Sequence, residues 1–120
     1  MTLATRQRYL FELDEGKSEQ ELVVRQAEVD GATFIVLVAV IGESASLCMR
    51  TILARAACIA VGSVALIDDH LVMRHAMPLA SFSADELDRV AKLIACEAAS
   101  LRLTARPRTS EAALFEAFAA

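Results

Sequence analysis

The apolar positions of this chain change period several times, and each change marks a new element. In Tyr9-Leu-Phe-Glu-Leu13 the residues Tyr9, Phe11 and Leu13 fall on one side of an extended chain, which predicts a strand. Asp14-Glu15-Gly16-Lys17-Ser18 interrupts it with turn formers. Glu21 to Val29 alternates imperfectly, with Leu22, Val24 and Gln26 against Val23, Arg25 and Ala27, and a helix could be drawn through it. It reads as a strand because it lies between two stronger strands at hairpin distance and ends on Asp30-Gly31, a tight-turn signal. Thr33 to Ile41 is a nearly unbroken β-branched run. Apolar on both sides, it is expected to be central in the sheet and buried on both faces.

From Ser44 to Ala60 the spacing becomes helical, with Leu47, Cys48, Ile52, Leu53, Ala56 and Ile59 recurring and Gly62 as the stop. Only Arg50, Thr51 and Arg55 are polar, so this helix is apolar around most of its circumference and wants cover on more than one side. The sheet supplies one cover. A second polypeptide is expected to supply the other, and Leu47, Met49, Arg50, Leu53 and Ala57 are the candidate dimer or partner interface. Gly62 to Ile67 and Leu71 to Met77 are two further strands across an Asp68-Asp69-His70 turn, ended by Pro78. Ser83 then offers an N-cap, Glu86 completes a capping box, and Phe82 with Leu87 makes a hydrophobic staple. The helix that follows runs to about Arg102 with Leu87, Val90, Ile94, Ala98 and Leu101 as its buried stripe. Asp85 with Arg89 and Asp88 with Lys92 form favourable i,i+4 pairs. Thr104 to Thr109 reads as a linker, and Ser110 as the cap of a short helix carrying Leu114, Phe115 and Phe118.

The predicted order is β-β-β-α-β-β-α plus a short C-terminal helix. Hairpin-length links between strands make this an α+β fold, a five-stranded antiparallel sheet with two main helices against it. One domain over 1–103 and a tail over 104–120 are expected.

Composition sharpens this. Hydrophobic residues make up 56% of the 120 residues, and the mean hydropathy is +0.45, so either the core is unusually complete or some apolar surface is covered by a partner. The longest uncharged stretches, Gly31 to Gly42 and Ala56 to Ile67, are well short of the ~18 apolar residues of a membrane span. The N-terminus lacks the apolar core of a secretory signal, and a cytoplasmic location is expected. A net charge of −4 argues against nucleic acid as partner. The cluster Arg102, Arg106 and Arg108 reads as a helix C-terminus with its solvated linker.

No catalytic pattern stands out. There is no nucleophile elbow, Walker loop or dinucleotide fingerprint. His70 and His75, five apart at one strand, point to opposite faces and cannot share a metal from it. His75 is expected to be a partly buried, hydrogen-bonded residue on the face of Leu71, Met73 and Met77. Asp68 and Asp69 read as a hairpin tip, and Glu12, Asp14, Glu15, Glu19 and Glu21 as a solvated hairpin edge that blocks strand-to-strand aggregation. Cys48, Cys58 and Cys96 have apolar neighbours and no Cys-x-x-Cys spacing, and are expected to be small buried hydrophobes. No cofactor, no metal and no enzymatic activity are expected.

Three stretches carry a resemblance: Phe11-Glu-Leu-Asp-Glu-Gly-Lys-Ser18; Ile52-Leu-Ala-Arg-Ala with Val61-Gly-Ser-Val-Ala-Leu66; and Leu71-Val-Met-Arg-His-Ala-Met-Pro-Leu79 with Ser83-Ala-Asp-Glu-Leu87. In these patterns of hydrophobicity, turn and cap the chain resembles the YbjN-like family, bacterial proteins associated with sensory-transduction regulation and similar in fold to class I type III secretion chaperones. The resemblance implies a compact, acidic, dimer-forming domain. The secretion chaperones begin with a helix that helps to form the effector groove, and too few residues precede Tyr9 to build it here. The function expected is a homodimeric protein-binding module, chaperone-like or regulatory. The alternative is a small-molecule sensor with a pocket between the sheet and the helix from Ser83 to Arg102, lined by Met73 and Met77.

Overall fold

A computed structural model describes residues 7–13, 16 and 18–106. The order of its main elements is β1 (Gln7–Leu13), β2 (Ser18–Val29), β3 (Ala32–Glu43), α1 (Met49–Ala56), β4 (Ser63–Ile67), β5 (His70–Pro78) and α2 (Ala84–Thr104), with single 3-10 turns at Ser44–Ser46 and Leu79–Ser81. The five strands form one antiparallel sheet in the order β1-β2-β3-β5-β4. Two of its hairpins close on two residues each. Asp30 and Gly31, then Asp68 and Asp69, all take positive φ, as a type I′ turn requires to match the twist of its strands.

The core lies on one face of this sheet. Leu22 of β2, Leu37, Ala39 and Ile41 of β3, and Leu71, Met73 and Met77 of β5 pack against Val90, Ala91, Ile94, Ala98 and Leu101 of α2, and Ile52 of α1 joins them. The α2 stripe follows the expected spacing, and Ser83 Oγ accepts the Glu86 N–H at 3.1 Å as its N-cap. The Asp85–Arg89 and Asp88–Lys92 pairs do not close. Among the described residues the ion pairs are Arg8–Glu21 and Arg55–Glu97. Exposed i,i+4 pairs gain too little in water to hold two long side chains together.

The segment 44–60 is not one helix. A 3-10 turn is followed by Leu47 in an extended conformation (φ −126°, ψ 147°), and α1 then spans only eight residues. The break has a physical cause. Leu47 turns inward against the core, into the space that the absent side chain of Gly42 leaves open. Cys48 N–H donates to Ala105 O at 2.7 Å rather than to a helical carbonyl. Ala105 itself is fully buried, so the packed domain extends past residue 103, and Thr104 belongs to α2 rather than to a linker. The expected helix after Ser110 lies outside the described residues.

β3 is central, but it is not covered on both faces. Both helices lie on the side of Leu37, Ala39 and Ile41. On the other side Phe34, Val36, Val38 and Val40 meet no helix among the described residues. Val36 is buried there, flanked across the ladders by Arg25 and Ala76, whereas Val40 is 43% exposed. The three cysteines are all exposed rather than buried. Cys48 precedes α1, Cys58 follows its C-cap Ala57, and Cys96 sits on α2 outside the buried positions 94, 95 and 98.

Candidate functional site

Three surfaces stand out once the fold is in place. The first is the outer side of α1. Ile52 is the buried residue of this helix, and what anchors the rest is polar. Arg55 reaches α2, with Nε 3.1 Å from Glu97 Oε1 and Nη2 3.0 Å from Ser100 Oγ. Met49, Arg50, Leu53 and Ala57 are exposed, with Leu53 60% accessible. Four of the five residues expected at an interface thus face outward, while Leu47 points into the domain.

The second is the uncovered face of the sheet. Cross-strand register places Leu10 beside Glu21, Val23 beside Val38, and Val40 beside Val72, which in turn lies beside Ala65. Leu10, at 63% exposed, and Val40 are the most open of these. Arg8, Arg25 and Arg74 share this side, and Arg8 pairs with Glu21 at 3.4 Å.

The third surface arises where two ladders part. β2 pairs with β1 from Ser18 to Val24, but with β3 only from Val23 to Val29. Beyond Val23 and Val38 the strands separate, and β3 bulges between Val40 and Gly42. The carbonyls exposed by that divergence take side-chain donors. Arg102, from the last turn of α2, donates from Nε to Ile41 O at 2.7 Å and from Nη2 to Val40 O at 2.8 Å. Its Nη2 also meets Gln20 Oε1. Gln20 is buried and donates from Nε2 to Glu21 O at 2.9 Å and Val40 O at 3.1 Å. For Arg102 this bridging role differs from the solvated helix end that the sequence predicts; Arg108 lies outside the described residues. Burial, and then the nearby Arg106 cation, lower the pKa of Arg102. A cavity of about 410 Å³ opens beside the bridge, lined by Gln20, Glu21, Val40, Ile41, Leu47 and the two arginines among others.

The remaining candidates stay apart. His75 is half-buried on the helix-facing side, opposite Leu37, and does not line this cavity. His70 is exposed at the tip of the β4–β5 hairpin, with Nδ1 3.0 Å from Asp68 O. Among the described residues no three His, Cys, Asp or Glu side chains converge to hold a metal. Met73 and Met77 are packed in the core, so the cavity is not the methionine-lined one expected between sheet and helix. Cys48 closes no capping bond as a thiol. Its thiolate is favoured by the Thr51 hydroxyl, by the Thr51 N–H and by Arg50, which together hold its pKa below the usual thiol value.

Among the described residues no helix is long and apolar enough to cross a membrane. Compared with models of known families, with curated proteins and with solved structures, the chain matches none.

Proposed function

We propose that this chain is a non-enzymatic protein-binding module, chaperone-like or regulatory, that acts as a homodimer. The observation that carries the reading is the sheet face bearing Leu10, Val23, Val38 and Val40, apolar along its centre and without a covering helix among the described residues. A half-covered antiparallel sheet ordinarily turns polar side chains to water. Here Val23, Val38 and Val40 stand among Arg8, Arg25 and Arg74 at those positions, and apolar patches rimmed by polar residues mark interaction surfaces. The outward side of α1, with Met49, Arg50, Leu53 and Ala57, is the second contact such a dimer has available. A stable interface buries over ~1,000 Å² in total, more than an eight-residue helix offers alone, so the sheet is the principal surface. The resemblance to the YbjN-like family supports the same reading.

Light scattering of the purified chain at micromolar concentration tests it. A species of twice the 12.9 kDa chain mass is expected. Val38→Glu, with its fold checked by circular dichroism, is expected to return the monomer, and Leu53→Glu to weaken the dimer less. A wild-type monomer would remove the reading.

A further inference from the structure

We infer that the cavity where β2 and β3 part is a binding site for a carboxylate carried on a short apolar body, with Arg102 and Arg106 receiving the carboxylate. This goes beyond the self-association reading and stands independently of it.

The lining divides by chemistry. Val40 and Leu47 supply the apolar side of the lining, and Gly42 adds no side chain. Arg102 and Arg106 stand one helical turn apart in sequence and both line the space. No described carboxylate lies within ion-pair distance of either, and Glu21, which also lines the cavity, is engaged by Arg8. Arg102 commits Nε and Nη2 to Ile41, Val40 and Gln20. None of the bonds among the described residues uses Nη1. The guanidinium is therefore fixed in orientation by neutral oxygens, with no counter-ion among the described residues. The two Nη1 hydrogens are what remain for a carboxylate, and because the group is already fixed little side-chain freedom is left to be lost on binding.

The surroundings favour an anion further. Partial burial and the neighbouring Arg106 both disfavour the Arg102 cation, and the opposite charge of a bound carboxylate favours it. Phosphate fits less well, because three hydrated oxygens would lie against the Val40–Leu47 wall. A volume of about 410 Å³ falls at the low end of small-ligand clefts, roughly 300–1,000 Å³. One carboxylate with a few apolar carbons suits that space. Either a free short-chain acid or the C-terminal residue of a peptide presents this group.

Nuclear magnetic resonance on the full chain tests the site, with the Arg102 Nε–Hε signal as a local reporter. The probes are hexanoate and a capped dipeptide with a free C-terminal carboxylate, each compared with its amide. Either acid is expected to shift that signal saturably, and its amide to bind about tenfold more weakly or worse, as loss of a charge-assisted pair implies. Binding by hexanoate alone or by the dipeptide alone identifies the source and supports the site. Arg106→Gln, at an exposed residue with no side-chain bond among those described, is expected to weaken acid binding several-fold without altering the fold. No shift with either acid, equal binding of acid and amide, or an unchanged affinity in Arg106→Gln would overturn the inference.

Discussion

Gly62 links the end of α1 to β4 and passes directly under α2. A Cβ built there would lie 2.6 Å from Ile94 Cδ1, 3.2 Å from Met73 Cε and 3.3 Å from Arg74 O, and its φ is +85°. Gly31 has nearly the same φ, +79°, with nothing within 4 Å of the equivalent position. The pair separates two effects that a single substitution confounds. In both Gly→Ala variants the left-handed backbone costs about 1–2 kcal/mol, offset by about 0.4–1 kcal/mol from a stiffer unfolded chain. These contributions cancel in the comparison. What remains is overpacking at Gly62, about 1–3 kcal/mol. Ile94 could relieve it by rotating, but Ile94 and Met73 are both fully buried, and Arg74 O belongs to the backbone. Urea unfolding at one fixed protein concentration measures the difference. With an m-value of about 1–3 kcal/mol/M, the Gly62→Ala midpoint is expected on the order of 1 M below that of Gly31→Ala. Coincident midpoints would refute the packing of α2 onto this turn.

Arg102→Leu leaves the Ile41 carbonyl and Gln20 Oε1 without the donor they share, and is expected to lower stability by about 1–3 kcal/mol in the same assay. Iodoacetamide is expected to alkylate Cys48 before Cys58 and Cys96 near neutral pH. Because a lowered pKa enlarges the thiolate fraction at a given pH, the Cys48 rate should reach half its maximum at lower pH than that of an ordinary thiol, and Thr51→Val should move that point upward. Peptide mapping after timed labelling at several pH values reads both outcomes.

Much of the fold was legible because local rules agreed with the tertiary ones. Asp30-Gly31 and Asp68-Asp69 form the tight turns that their residue types favour, and Ser83 caps the helix that its spacing announces. The α+β class and the five antiparallel strands follow from those signals. What sequence reading missed is non-local. The break at Leu47 depends on Gly42 and on a backbone bond to Ala105, neither of which helical periodicity contains. Arg102 looked like an ordinary terminal cation because its partners, Ile41 and Gln20, lie 61 and 82 positions earlier in the chain. Burial of the cysteines was inferred from apolar neighbours, yet on a helix adjacent residues face different ways, and Cys96 lies beside buried Ala95 while remaining exposed. Periodicity showed that β3 is apolar on both sides. It carried no information on how many sides a helix would cover.

β2 serves one neighbour with its first half and another with its second, sharing only Val23 and Val24 between the two ladders. Residues 18–22 of β2 thus lie beyond the β3 ladder, and Gln20 ties them back to Val40 O of β3 and to Arg102 of α2. A molecule or chain that displaced this end of β2 would act on β3 and on the last turn of α2 together, because Gln20 bonds to both. One side chain in this way ties together elements that lie 20 and 82 positions further along the chain.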